Sequence, residues 1–517
     1  MIRRATTIIF LVLAVVRPGF AQNEKPAVDW QMVASIREEG LQRSQLADTL
    51  SYMTDVLGAR YTLSDDMSRA QEWAIGEMER IGLVNTVIEP FMDYGVSWDN
   101  EYVSLHMLEP DYQPLVGYPL ANTPGTDGVV RLSVVIADIR TRQDLERYRG
   151  RLRGAAVLST PPASIDLTRF SQGVERWTDE QLRELEQPAP TPAARAAAAP
   201  RNPDVLSALD RIAFFKGEGA VVVLESRSGW PGAVRGFARP GTKVDNWSRE
   251  GNFDSLPIVA VNPEHYNRMY RILQRDIPVV IEVEIRNRIG AEVEQASNVL
   301  GDIPGSDLAD ELVMLGAHFD TWHASPNASD NTSGVAVMLE AARILKAVGA
   351  EPRRTIRVAL WAGEEQGLFG SRAYVRKHFG DPNDPAVGVT PGHEKFSVYF
   401  NQDYGPGQYR GIYLQGNEFA RRALTAWTEP FRDLGMTTVS ARSVGSTDHV
   451  PFDSAGLPAF QFLQDRIGGT GGHTNLDYFD TLPLDDLRRN AVIMASFVYH
   501  AAMSDERIPR KGVAGRD

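Results

Sequence analysis

Six residues of this chain stand at spacings suited to holding a metal ion. His318 is followed by Asp320 two residues on, by Asp330 twelve residues on, and then by the adjacent pair Glu364 and Glu365; Asp403 comes later. Imidazole and carboxylate are the ligands zinc takes when thiolate is absent, and the chain contains no cysteine. A pair of neighbouring carboxylates can divide its work, one binding metal and the other moving protons. Side by side, Glu364 and Glu365 repel each other unless a cation or proton neutralises one. Asp320 is placed to accept a hydrogen bond from the second ring nitrogen of His318, which would fix its tautomer. Asp330 lies among Ser, Asn and Thr, where it could bridge two metals or cap the helix beginning near Gly334. The order suggests a two-metal hydrolase.

The elements that must position these groups read as alternating strands and helices. Apolar runs at 312–315, 356–361, 396–400 and 459–463 read as strands, and 334–348 and 487–502 as helices. Continuous apolar strands between helices predict a mostly parallel sheet covered on both faces. Ligands collect at the carboxyl ends of such strands, and His318, Glu364, Glu365 and Asp403 each fall one to four residues past one. His473 lies in the glycine-rich loop 469–475, where it is either idle or a ligand; His323 is a reserve ligand. Thr447-Asp448-His449 resembles part of a nucleophilic triad. Without a Gly-x-Ser-x-Gly elbow it reads as pocket lining.

Upstream the texture differs. Residues 31–83 are helical in pattern, with 66–81 as one amphipathic helix and 84–90 as a strand. Short β-rich runs then recur at 129–137, 155–158, 220–224, 258–261 and 277–285, with helical pieces at 142–148 and 263–273. This predicts a smaller α/β domain inserted at 126–290, between an amino-terminal part at 22–125 and a catalytic part at 291–510. Its stretch 187–203 is rich in Ala and Pro and reads as a disordered surface loop.

Composition narrows the class. The 517 residues are 43% hydrophobic and 23% charged, as in soluble globular enzymes. A net charge of −13 argues against nucleic acid or an anionic membrane as the main partner. Arg3 and Arg4, the apolar run 5–16 and the small residues near Ala21 predict a signal peptide at 1–21, and hence export to periplasm or medium. That run is too short to span a bilayer, so no stable membrane span is expected once it is removed.

Assembled in order, these residues resemble the co-catalytic zinc aminopeptidase family, the aminopeptidase Y and plasma glutamate carboxypeptidase group. The resemblance runs through the segment 58–64, His318-Phe319-Asp320-Thr321-Trp322, Ser329-Asp330-Asn331, Gly363-Glu364-Glu365-Gln366-Gly367, Asn401-Gln402-Asp403, Thr447-Asp448-His449 and His473-Thr474-Asn475. It implies a zinc-peptidase, phosphorylase/hydrolase-like fold with an inserted protease-associated domain. It implies two zinc ions per chain, held by His318, Asp330, Glu365, Asp403 and His473, with Asp330 as the bridge. Glu364 would be the general base acting on a metal-bridging water, with Asp320 as orienting residue. The implied activity is an aminopeptidase or dipeptidase working near a free terminus, on peptides or dipeptides, with room for a homodimer. Two other readings share the fold: a glutaminyl-peptide cyclotransferase, commonly with one zinc, and a non-catalytic receptor with an eroded site. This chain departs from the family at Ser325-Pro326-Asn327, at Leu63, at Gly472, and at Val444, near where some members carry a transition-state-stabilising tyrosine.

Overall fold

The computed structural model describes residues 28–165, 176–189, 203–227, 229–239, 254–467 and 472–511. The expected signal peptide and most of the Ala/Pro stretch 187–203 lie outside the described residues.

Two eight-stranded sheets dominate the described residues. The first runs, edge to edge, through Val84–Gly95, Glu294–Ile303, Arg354–Trp361, Leu308–His318, Phe396–Asn401, Ala459–Gln464, Tyr409–Tyr413 and Thr438–Ser440. Its central strands are parallel, and antiparallel pairs flank them, so the sheet is mixed with a parallel centre. The helices Ser333–Ala347 and Leu484–Met503 are buried along nearly their whole length. With Trp30–Gln42 and Asp65–Arg80 they cover one face and share one apolar core with the inward side chains of the strands. A second core, including Trp361, Tyr374, Tyr399 and Phe452, fills the other face. Covering both faces explains why these strands read as unbroken apolar runs. Each fully buried side chain of this size contributes about 1.5–3 kcal/mol.

Local signals set the ends of the covering helices. Asp29 accepts a hydrogen bond from Met32 N and Ser64 from Met67 N, each closing an otherwise open helix start. Parallel register does the rest: His318 pairs with Trp361, and Gly316 with Asn401. The segments following these strands therefore emerge at one edge, where the metal-binding groups stand.

The second sheet runs through Gln113–Pro114, Trp98–Glu109, Val280–Ile289, Val130–Ile136, Ala156–Leu158, Val222–Glu225, Ile258–Val261 and Gly117–Pro119. Three of these strands precede residue 126, where the insert was expected to begin. The reason is long-range pairing. Trp98–Glu109 lies antiparallel to Val280–Ile289, Trp98 opposite Ile289, and no local pattern reveals that partner. Apolar clusters fill both faces of this sheet. A small cluster of Tyr61, Trp98, Ala121 and Trp322 joins the segments flanking the two sheets.

Candidate metal centre

His318 ends the strand Leu308–His318, and its side chain is buried. Its Nδ1 donates to the backbone carbonyl of Asp320 at 2.8 Å, which leaves Nε2 to face the site. The expected bond to the Asp320 carboxylate is not formed; Oδ1 lies 3.9 Å from that nitrogen. That carboxylate instead accepts from the backbone amides of Glu364 at 3.1 Å and Glu365 at 3.3 Å. Asp320 thus positions the glutamate turn, while its own main chain orients the histidine.

The glutamates follow the strand Arg354–Trp361 through Gly363, whose φ of +71° few side-chain-bearing residues adopt. Glu365 Oε2 accepts from Trp322 Nε1 at 2.9 Å. Asp403 follows the strand Phe396–Asn401 and meets His318 Nε2 at 3.0 Å.

Asp330 does not serve as the cap of helix Ser333–Ala347. Asn331 does, accepting from Gly334 N at 3.0 Å through Oδ1. Asp477 anchors the same loop by accepting from Ser329 N at 2.9 Å and Ser329 Oγ at 2.7 Å. Freed from capping, Asp330 turns one oxygen to each histidine. Oδ1 lies 3.2 Å from His318 Nε2, and Oδ2 lies 3.0 Å from His473 Nε2. His473 Nε2 is also 2.9 Å from Glu365 Oε1.

The six residues named as metal or base groups therefore converge, with Asp320 just beneath them. Donor atoms of His318, Asp330 and Glu365, and separately of His318, Glu364 and Asp403, lie within 4.8 Å of one another. His323 is not among them: its Nε2 donates to Pro119 O at 2.7 Å. Thr447, Asp448 and His449 are fully buried, and Asp448 accepts from Ser371 Oγ at 2.5 Å, so they support the site from within. Val444 contacts Gln415 through its main chain, while the Tyr404 hydroxyl donates to Gly445 O at 2.6 Å nearby.

The electrostatics describe a site short of positive charge. Burial raises the pKa of Glu364 well above the usual range, and the Asp403 charge adds to it. Burial likewise lifts Glu365 to about 7, helped by Asp330. Burial opposes a charged His473, but Asp330 and Glu365 outweigh it and raise its pKa to about 10. The donor set fits divalent metal. Glu365 Oε1 is buried and accepts no hydrogen bond, although His473 Nε2 lies 2.9 Å away. Lone-pair atoms so arranged are suited to sharing a cation, and nitrogen with carboxylate oxygen is a zinc set.

Four contributors were not singled out from sequence. Trp322 and Asp477 act through hydrogen bonds to Glu365 and to the Asp330 loop. Arg60, fully buried, donates to Phe319 O at 2.8 Å and Thr332 Oγ1 at 2.8 Å. Phe237, from the segment 229–239, packs its ring 5.2 Å from that of His473. Only Trp322 and Arg60 lay inside recognisable motifs.

Comparison with known proteins agrees with this architecture. The chain is 22% identical over 476 residues to human carboxypeptidase Q, covering 91% of this chain and 88% of the relative. The structure of a peptidase M28 precursor from Shewanella amazonensis matches with a TM-score of 0.66 at 23% identity, over 93% of this chain and 98% of that one. A zinc aminopeptidase from Bacillus subtilis matches with a TM-score of 0.57 at 17% identity, over 89% and 95%. The model of peptidase family M28 matches residues 298–498, the stretch holding every metal-site residue described above. Residues 298–498 thus match peptidase family M28, and the chain is a metallopeptidase, a hydrolase.

Proposed function

We propose that this chain is an exported zinc exopeptidase with two zinc ions, acting as an aminopeptidase or dipeptidase near a free terminus. The observation that carries this reading is Asp330, whose two carboxylate oxygens face two histidines from opposite sides of one site. His318, Asp330 and Asp403 would hold one ion, and Asp330, Glu365 and His473 the other. When bound, such a pair polarises the scissile carbonyl and makes water a better nucleophile near neutral pH. Glu364 takes the proton of the attacking water and passes it to the leaving amine. Burial raises its proton affinity toward the range that a general base requires. Asp320 holds the Glu364 and Glu365 amides, so that Glu365 binds and its neighbour remains free. The residues around 98–289 form a protease-associated insert in this reading. The leader at 1–21 supports export, and no helix among the described residues is long and apolar enough to cross a membrane.

A cyclotransferase with one zinc would not require the second histidine opposite a shared Asp330. A receptor would not require the whole set with its base. Metal analysis of the purified chain, joined to a panel of aminoacyl anilides and dipeptides, tests the proposal. It expects about two zinc ions per chain, as two-metal hydrolysis needs, and amino-acid release that a chelator stops. Metal-free protein with undiminished hydrolysis would overturn it.

A further inference from the structure

Of the two histidines, only His473 lies off the strands of the first sheet, and its loop is held from the second. The segment 233–239, between Val222–Glu225 and Ile258–Val261, reaches that loop as a strap. Val234 O accepts from Asn475 N at 3.0 Å, and Gly236 N donates to His473 O at 3.0 Å. Arg235 bridges Thr474 in antiparallel fashion. Asn475 adds its side chain to this pairing, Oδ1 accepting from Val234 N at 2.6 Å. On the other side of the strap, Phe237 O accepts from Ala121 N at 2.9 Å, and Arg239 N donates to Ala121 O at 3.0 Å. Gly236 is required for this approach, because a Cβ there would fall 2.8 Å from Ala324 Cβ. The Phe237 ring packs on both Trp322, at 5.3 Å, and His473, at 5.2 Å.

The chain is also gripped ahead of His473. Buried Asp465, just past Ala459–Gln464, accepts from Arg176 Nη1 at 2.8 Å and from Trp177 N at 2.9 Å. Trp177 Nε1 donates to Gln464 O at 2.7 Å, and the Arg466 guanidinium lies over the Trp177 ring, 4.8 Å from its centroid. Arg176 and Trp177 belong to the connection between Ala156–Leu158 and Val222–Glu225, two neighbouring parallel strands of the second sheet. Both grips therefore come from connections that leave the same edge of that sheet. A loop histidine without such contacts samples many positions, and ordering it opposes ligation. Contacts made before a ligand arrives remove that cost.

We propose that Asn475 is a positioning residue for His473, and that through it the metal centre and the docking of the second sheet stabilise each other. The strap presets the loop, so that the His473 ring is in place when an ion binds. Linked equilibria are reciprocal, so an ion on His473 must tighten the strap by the factor that the strap adds to its affinity. His318 and Asp403 take their places from the strands Leu308–His318 and Phe396–Asn401. An ion held on their side is therefore indifferent to the strap. This assignment rests on the two-ion reading above.

The test uses the full chain as wild type, Asn475→Ala and Asn475→Asp, with two readouts. One is zinc titration against a competing chelator; the other is hydrogen exchange at the Val234, Gly236 and Asn475 amides, with and without zinc. In wild type, zinc should slow exchange at these three amides. Asn475→Ala should weaken one of the two ions about 10- to 100-fold, the range for a group that orients a ligand, and leave the other unchanged. The slowing by zinc should shrink by a factor of the same order. Asn475→Asp keeps an acceptor for Val234 N and should recover both. Exchange at the strap that ignores zinc in a wild type holding two ions would overturn the coupling, and the two-ion reading would stand. Equal weakening of both ions in Asn475→Ala, or no weakening of either, would do the same, as would no recovery in Asn475→Asp. Fewer than two ions on wild type would overturn both.

Discussion

His318 and His473 face the same Asp330 carboxylate from supports of opposite kinds. His318 closes a central strand with a side chain 1% exposed, its ring oriented by the next turn of main chain. His473 sits on a loop at a φ of +62°, 26% exposed, and it is steadied by the strap 233–239 and the ring of Phe237. The first half of the centre is a product of the sheet. The second needs a loop, a tryptophan and the distant segment 233–239 to complete it. Rigid scaffolding thus fixes the chemistry, and the assembled half is where specificity can vary without disturbing it.

The largest effect expected is on the residue both halves serve. Glu364→Gln keeps the shape and the metal set but removes the proton acceptor. Turnover should fall about 10²- to 10⁴-fold with metal content unchanged, read by steady-state kinetics beside elemental analysis. Loss of metal in this variant would make Glu364 a ligand and erase the division of labour between the two glutamates. A smaller effect should separate the halves. Trp322→Phe removes the donor to Glu365 Oε2 and nothing from His318 or Asp403. Affinity for one of two ions should drop about 10- to 100-fold, giving two resolved steps in a metal titration. A uniform weakening of both ions would show that the halves are not independent.

What was legible in the sequence follows the same division. Local signals marked His318, Glu364, Glu365 and Asp403, because each is preceded by an apolar strand and the parallel register delivers strand ends to one edge. Asp330 could be read as cap or ligand, and the sequence did not show that the neighbouring Asn331 Oδ1 takes the bond from Gly334 N. His473 had only its glycine-rich loop as a local mark, since its partners, Gly236, Asp330 and Glu365, are all distant in sequence. Arg235 and Phe237 were not seen, lying more than two hundred residues before the loop they touch. The early strands of the second sheet were missed likewise, because Trp98 finds its partner at Ile289. Asp320 does lie beside His318, but its main-chain carbonyl, not its carboxylate, meets the ring nitrogen, and the carboxylate holds the glutamate amides instead.

The seam between the segments flanking the two sheets offers the finest test of the comparison. His323 follows Trp322 and lies at that seam, its ring 4.9 Å from Trp98. Nε2 donates to Pro119 O, and Nδ1 is buried without a partner. Burial therefore depresses its pKa to about 4. The unfolded chain takes up this proton near pH 6.5, whereas the folded one refuses it until about pH 4. The stability His323 confers is thus whole above about pH 6.5 and is lost as pH falls toward 4, in total about 3 kcal/mol. Denaturant unfolding at pH 7 and near pH 4.5 should show wild type losing more stability than His323→Phe by most of that amount. Activity at neutral pH should change least of all, because His323 touches no metal-site residue directly. Parallel pH slopes in the two proteins would mean that water reaches the His323 ring and that the seam is not tightly packed.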